Sequence, residues 1–385
     1  MLRVAIMGMG GRAGCWVRDF HDQSFPPPRL SDWATLVAYC SLEEGHPQED
    51  VRGLLAGVPF YSDYARMLER DDVDAVFIAT PEFLHVDNAV HAMEAGKHVL
   101  VEKAASLDVA GAARLGHAAR RTGKVLFLGL VLRYATLYAK LKEMVAGGEL
   151  GRVIQIEGHD NVGGGFGIVM ARWKYGRREL CGTMMLCKAT HMLDVMTHIA
   201  GARPARLASF GGQDYFVHED DVTMTCSTCP RASACPAFSK TDEFCPFSKG
   251  FDWPDNAMAV IEYENGIRAT YSFNLFSAGY ERSFAACGTR GKVFARDVWP
   301  PYLEVSAPGY KEPLFDFGQP VGRGHGGGDL RLIRHFFDCI EQGLPSPFTT
   351  EAIVDSVAVS LAIEDSWKTG ALVDLNAWRR HQGGV

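Results

Sequence analysis

The sequence predicts an α/β N-terminal domain on a doubly wound parallel sheet, then an α+β C-terminal domain with a large, mostly antiparallel open sheet. Three observations predict it. Apolar runs alternate with helical patterns across the first third, as in βαβ units. A glycine-rich turn joins the first apolar run to the first helical pattern. Later in the chain hairpin signals replace the alternation.

The elements follow in order. Arg3 to Met7 reads as a buried strand, followed by the turn Gly8-Met9-Gly10-Gly11-Arg12-Ala13-Gly14 and a helical stretch from Cys15 to Phe20. Leu36 to Tyr39, Val73 to Ala79, His98 to Val101 and Val125 to Leu130 are further strands. Helices over Val86 to Ala95 and Ala110 to Arg121 stop at or just before Gly96 and Gly123, as helix C-termini often do. A helix fits Tyr138 to Ala146, and Arg152 to Gly158 is strand-like. Two hairpins turn at Glu264-Asn265-Gly266 and at Gly288 to Gly291. Helices over Leu330 to Gln342 and Glu351 to Thr369 close the chain. The expected domains are 1–126 and 127–385, with a cysteine-rich insert over about 212–255 and the last helices packing back toward the first domain.

The chain has 385 residues, 47% hydrophobic and 22% charged, which excludes a disordered or collagen-like polymer. Its formal charge is 39 − 46 = −7, against a generic nucleic-acid footprint. No apolar run approaches the roughly 18–20 residues of a membrane helix. No signal-peptide pattern precedes the first strand, so a cytoplasmic location is expected. In a reducing compartment its 10 cysteines should be thiols or metal ligands.

The turn after the first strand has the spacing of a dinucleotide cradle. Gly8 permits the tight turn, Gly10 allows backbone to approach a pyrophosphate, and Ala13 takes the third small position. Backbone N–H groups at the helix start face the phosphates, so Met9, Gly11 and Arg12 join the cofactor set. Ser41 stands where an acid usually binds the adenosine ribose, and no arginine follows it, which leaves NAD and NADP both open. Thr80, Pro81 and His85 follow the third strand, and Glu102 and Lys103 the fourth. C-terminal strand ends of this kind bind ligands in open α/β sheets.

Later in the chain, His191, Asp194 and His198 fall on one face of a predicted helix, with Lys188 one turn earlier. A lysine beside a histidine and a carboxylate suits proton transfer. Cys226, Cys229, Cys235 and Cys245 have spacings that suit a structural metal, zinc being favoured over an iron–sulfur cluster. Arg172 and Trp173 lie in a basic run suited to an anionic or sugar substrate. His325 precedes Asp329 at the start of a helix and can reach a site from a flexible arm.

Taken together, Gly8-x-Gly10-x-x-Ala13, Thr80-Pro81 with His85, the run Gly96 to Lys103, the His191 helix and His325-Gly-Gly-Gly-Asp329 resemble the glucose–fructose oxidoreductase, inositol dehydrogenase and MocA family. The resemblance implies a Rossmann domain that binds NAD or NADP, followed by a domain for substrate binding and oligomerisation. It also implies a small sugar or polyol substrate, a homodimer or homotetramer, and no nucleic-acid or membrane partner. Lys103 would reach the nicotinamide and the reacting hydroxyl, although Ala104 replaces the family's proline. The family often has an acid four residues before the histidine. Cys187 stands there, so Lys188 or His191 becomes the proton acceptor. Alternatives within this resemblance are a glycosidase or lyase with retained NAD and a non-catalytic sugar sensor.

Overall fold

In the computed structural model, the described residues are 1–22, 29–163, 165, 167–168, 178–217, 225–235, 237–239, 245–247, 254–298, 300–309 and 324–383. Two compact units emerge. The first comprises residues 1–139, 318–357 and 382–385, and the second 140–317 and 358–381.

The first unit contains β1 (Leu2–Met7), α1 (Gly11–His21), β2 (Ala34–Cys40), α2 (Glu49–Leu54), β3 (Phe60–Tyr61), α3 (Tyr64–Leu68) and β4 (Ala75–Ile78). It continues through α4 (His85–Glu94), β5 (His98–Val101), α5 (Val109–Thr122) and β6 (Leu126–Leu128). The six strands run parallel in the order β3-β2-β1-β4-β5-β6. The central strands are apolar throughout because both faces are covered: Ala75, Val76, Phe77 and Ile78 are all buried. Strand order reverses between β1 and β4, which makes the crevice beyond their C-terminal ends the natural ligand position. The short α2, β3 and α3 leave little periodicity to read, and the sequence pattern missed them.

The second unit begins within α6 (Thr136–Ala146) and continues with β7 (Val153–Gly163), α7 (Arg178–Cys181), a π-helical turn over Met185–Ala189, α8 (Thr190–Ala200) and β8 (Pro204–Gly212). It goes on through β9 (Asn256–Tyr263), β10 (Arg268–Ser277), β11 (Glu281–Gly288), β12 (Lys292–Asp297) and β13 (Tyr302–Ser306). After α9 (Gly328–Gln342), which belongs to the first unit, α10 (Thr350–Thr369) passes from the first unit into the second. The chain closes with β14 (Val373–Asp374) and α11 (Leu375–His381). The sheet has eight strands in the order β13-β12-β11-β7-β10-β9-β8-β14. All neighbours are antiparallel except β7 and β10. The two hairpins form as expected, with Gly266 at φ +83° in the first turn.

Two cores result. In the first unit Phe77 on β4 meets Trp16 of α1 at 5.2 Å and Phe336 and Phe337 of α9 at 6.1 and 6.2 Å. Helices α1 and α9 therefore share one face of the parallel sheet. In the second unit α8 lies directly on β7. A Cβ at Gly158 would stand 2.5 Å from the Met196 sulfur, so glycine is what lets helix and strand approach. No helix among the described residues is long and apolar enough to cross a membrane.

Candidate functional site

In the first unit the predicted cofactor residues converge on one edge of the parallel sheet. Gly8 follows β1, Thr80 and Pro81 follow β4, and Glu102 and Lys103 follow β5. Gly8 donates its N–H to the Cys40 carbonyl at 2.9 Å. Its φ is +88°, and a Cβ there would stand 2.6 Å from the Ala79 oxygen. Gly10 and Gly11 differ: nothing lies within 4 Å of a Cβ at either. Gly10 caps α1 without any side-chain hydrogen bond. That leaves an open, uncapped helix start, where backbone N–H groups and the helix dipole suit a pyrophosphate. Met9 is half-buried and Ala13 is buried against the sheet. These residues fit a dinucleotide.

Ser41 is half-buried at the end of β2, and its hydroxyl donates to the Glu43 carbonyl. His85 is buried, with Nδ1 2.7 Å from the Ala104 oxygen and Nε2 2.9 Å from the Thr80 oxygen. It thereby ties the turn after β4 to the segment after β5. Burial pulls its pKa down, against the opposing pull of Glu82, the two carbonyls and Glu102. Asn88 donates to the Thr80 hydroxyl at 3.2 Å.

Lys103 is half-buried, and its backbone N–H donates to Glu102 Oε2 at 3.1 Å. Glu102 Oε1 accepts from Arg12 Nε at 2.6 Å. Arg12 Nη2 donates to Asp329 Oδ1, and His325 Nδ1 lies 2.8 Å from Asp329 Oδ2. Burial would raise the Asp329 carboxyl, but Arg12 and His325 hold it down at about 2. The structure thus joins Arg12, Glu102, Lys103, Asp329 and His325 in one hydrogen-bonded chain. Sequence reasoning placed Arg12 at the phosphates and missed Asp329 as its partner.

In the second unit Lys188, His191 and Asp194 are all buried, whereas His198 is half-exposed. His191, Asp194 and His198 lie in one α-helix, as expected, but the placement of Lys188 one α-helical turn earlier needs correction. Lys188 lies in the π-helical turn and His191 in the following α-helix, so the i, i+3 spacing is not that of a single α-helix. Lys188 Nζ stands 4.9 Å from the centre of the Tyr280 ring, and the Arg282 guanidinium 5.2 Å from it. Arg282 Nε donates to the buried Asp160 at 2.7 Å, and the Tyr271 hydroxyl donates to the same carboxylate at 3.2 Å. Burial, with Asp160 beside it, pushes the Tyr271 hydroxyl far up in pKa. Cys187 donates its S–H to the Cys181 carbonyl at 2.6 Å. The sequence did carry one signal for Arg282: it has the same strand parity as the buried Phe284 and Ala286.

Cys226 and Cys245 are buried, and Cys229 and Cys235 half-buried, all as thiols. Burial raises the Cys245 thiol, and Cys229, Cys235 and Cys226 add to that rise, so the sulfurs lie within electrostatic range. Among the described residues, however, no group of three or more His, Cys, Asp or Glu stands as a metal site. The structure therefore gives no support to the expected zinc or iron–sulfur site, although the spacing suits a metal. Arg172 and Trp173 lie outside the described residues.

Comparison with known proteins agrees with this geometry. Residues 2–130 match the NAD-binding Rossmann-fold model of an oxidoreductase family, GFO_IDH_MocA, and residues 142–375 match its C-terminal alpha/beta domain. The putative oxidoreductase YteT of Bacillus subtilis (strain 168) is 26% identical over 74% of this chain and 77% of its own length. The scyllo-inositol 2-dehydrogenase (NAD(+)) of the same organism is 23% identical over 99% of this chain and 98% of its own. A solved levoglucosan dehydrogenase, in complex with NADH and L-sorbose, superposes with a TM-score of 0.76 at 18% identity, over 97% of this chain and 98% of that one. At that identity the likeness is one of fold.

Proposed function

We propose that this chain, which belongs to the glucose–fructose oxidoreductase, inositol dehydrogenase and MocA family of oxidoreductases, uses NAD or NADP to interconvert a hydroxyl and a carbonyl on a sugar, inositol or related polyol. One observation carries the reading: Lys103 follows β5 on the same sheet edge as the open glycine turn after β1. The scyllo-inositol dehydrogenase relative supports the substrate class.

Bound nicotinamide supplies the hydride chemistry. The residues of this chain do the rest. Backbone N–H groups from Met9 to Ala13 hold the phosphates. Lys103 donates to the reacting oxygen and stabilises its growing negative charge. The hydroxyl proton passes to the Lys188 amine or the His191 imidazole. Arg172, Trp173, Asp194 and His325 are the proposed substrate contacts. On coenzyme choice, Glu43 and Glu44 are exposed just beyond Ser41, and Arg52 donates Nε and Nη2 to the His46 carbonyl at 3.2 and 3.1 Å. Exposed carboxylates at that strand end disfavour a 2′-phosphate, so NADH should bind more tightly than NADPH.

The test is NADH and NADPH titration of the purified chain, then a sugar and polyol panel read by NADH formation. Lys103→Met should lower kcat by about 100-fold or more while NADH affinity stays nearly unchanged. Unchanged kcat in that variant would remove Lys103 from the reaction.

A further inference from the structure

Arg12 occupies a position in the glycine turn from which a guanidinium could face a phosphate. Its donors are directed elsewhere. Nε donates to Glu102 and Nη2 to Asp329, carboxylates on residues that are 8% and 1% exposed. Both acids carry the contact onward: Glu102 accepts the Lys103 N–H, and Asp329 meets His325. Room for the two carboxylates is kept by glycines on separate segments. A Cβ at Gly129 would stand 2.8 Å from the Glu102 carboxyl carbon, and one at Gly324 2.8 Å from Asp329 Oδ2. His325 itself has a left-handed backbone, φ +39°, a conformation few residues other than glycine adopt. The arrangement links the turn after β1, the end of β5 and the start of α9.

We propose that Arg12 is a positioning residue: by bridging Glu102 and Asp329 it fixes the Lys103 backbone at one end and the His325 ring at the other, instead of binding phosphate. The inference rests on the reading of Lys103 as the group that meets substrate. Two buried carboxylates need a cation, and a planar guanidinium can serve both with separate N–H groups, which an ammonium does less well. The charged or titratable groups acting on this network include Glu102, Asp329, His325 and Cys15 around Arg12, with Asp19 and Arg18 beyond Cys15 and His85 and Glu82 beyond Glu102.

The experiment compares the intact chain with Arg12→Lys, Arg12→Met and the double variant Arg12→Met with Asp329→Asn. Four quantities are read: NADH affinity without substrate, kcat against KM, the pH profile of kcat, and the melting temperature of the dinucleotide-free protein. Arg12→Met should cost about 100-fold in kcat, the loss typical of a displaced reactive group. Its NADH affinity should stay close to that of the intact chain, and its pH profile should move because Asp329 has lost its cation. Arg12→Lys should recover part of kcat. If Arg12→Met folds poorly, the double variant, with one fewer buried charge, should restore folding while keeping the loss in kcat. A large fall in NADH affinity with kcat intact at saturating NADH would make Arg12 a phosphate ligand and overturn the proposal. So would a lower melting temperature with kcat per folded molecule and pH profile unchanged. An unmutated chain that neither binds NADH nor oxidises any polyol would overturn the functional reading first, and this proposal with it.

Discussion

Gly8 and Gly10 stand two residues apart in one motif, yet they are glycine for different reasons. Gly8 has a positive φ and no room for a Cβ beside Ala79. Gly8→Ala should cost about 1–3 kcal/mol of stability, seen as a lower melting temperature. Gly10 has a negative φ of −85° and open space around it. Gly10→Val should therefore leave the melting temperature nearly unchanged and abolish NADH binding, because the side chain would fill the space a pyrophosphate needs. Equal loss of stability in both variants would contradict this division of roles. The sequence showed both glycines, because a turn's need for them is local. It could not show what Arg12 does, since its partners lie 90 and 317 residues away.

Among the elements, the pairing of β7 with β11 buries an ion pair. Asp160 is 0% exposed and opposes Arg282 in register. Asp160→Asn leaves the Arg282 guanidinium buried without this counter-charge, with Asp297 3.5 Å away as partial compensation. A loss of about 3–5 kcal/mol is the usual size for breaking such a pair, and urea unfolding should show it. Little change would mean that Asp297 takes over. Helix and strand existence was legible here from alternation and turn residues. The two-residue β3 and β14 were not, because they pair only at sheet edges and have no pattern of their own. The π-helical turn before α8 was hidden for a related reason: an extra residue in a turn leaves hydrophobic composition untouched and shifts only where side chains point.

At the scale of the whole molecule, buried ionisable groups should shape the acid limit of stability. Asp329 is held down at about 2 from an ordinary 3.8, so its contribution is present above about 3.8 and is lost as pH falls toward 2. His85 is shifted the other way for a base: burial lowers it from 6.5. The unfolded chain then takes up the proton first, and stability should begin to fall as pH drops below about 6.5. Melting temperatures from pH 7 to pH 3 should decline in these two stages. Arg12→Met should move the lower stage to higher pH, because Asp329 would lose the cation that keeps it ionised. A single decline starting only below pH 4 would remove His85 as a contributor to acid stability.

Composition, periodicity and turn chemistry act over a few residues, which is why the parallel and antiparallel halves, the glycine cradle and the lysine after β5 could be read without coordinates. The one parallel pair in the second sheet, β7 with β10, could not, since each strand reads the same in either pairing. The cysteine spacing suited a metal, yet spacing alone does not establish a site, and among the described residues no group of three or more possible ligands stands as one. Charge partnership is the clearest case. Which carboxylate meets Arg12 or Arg282 depends on how segments far apart in the chain are brought together by burial of their apolar neighbours, and buried charge is stable only where that packing delivers a counter-charge.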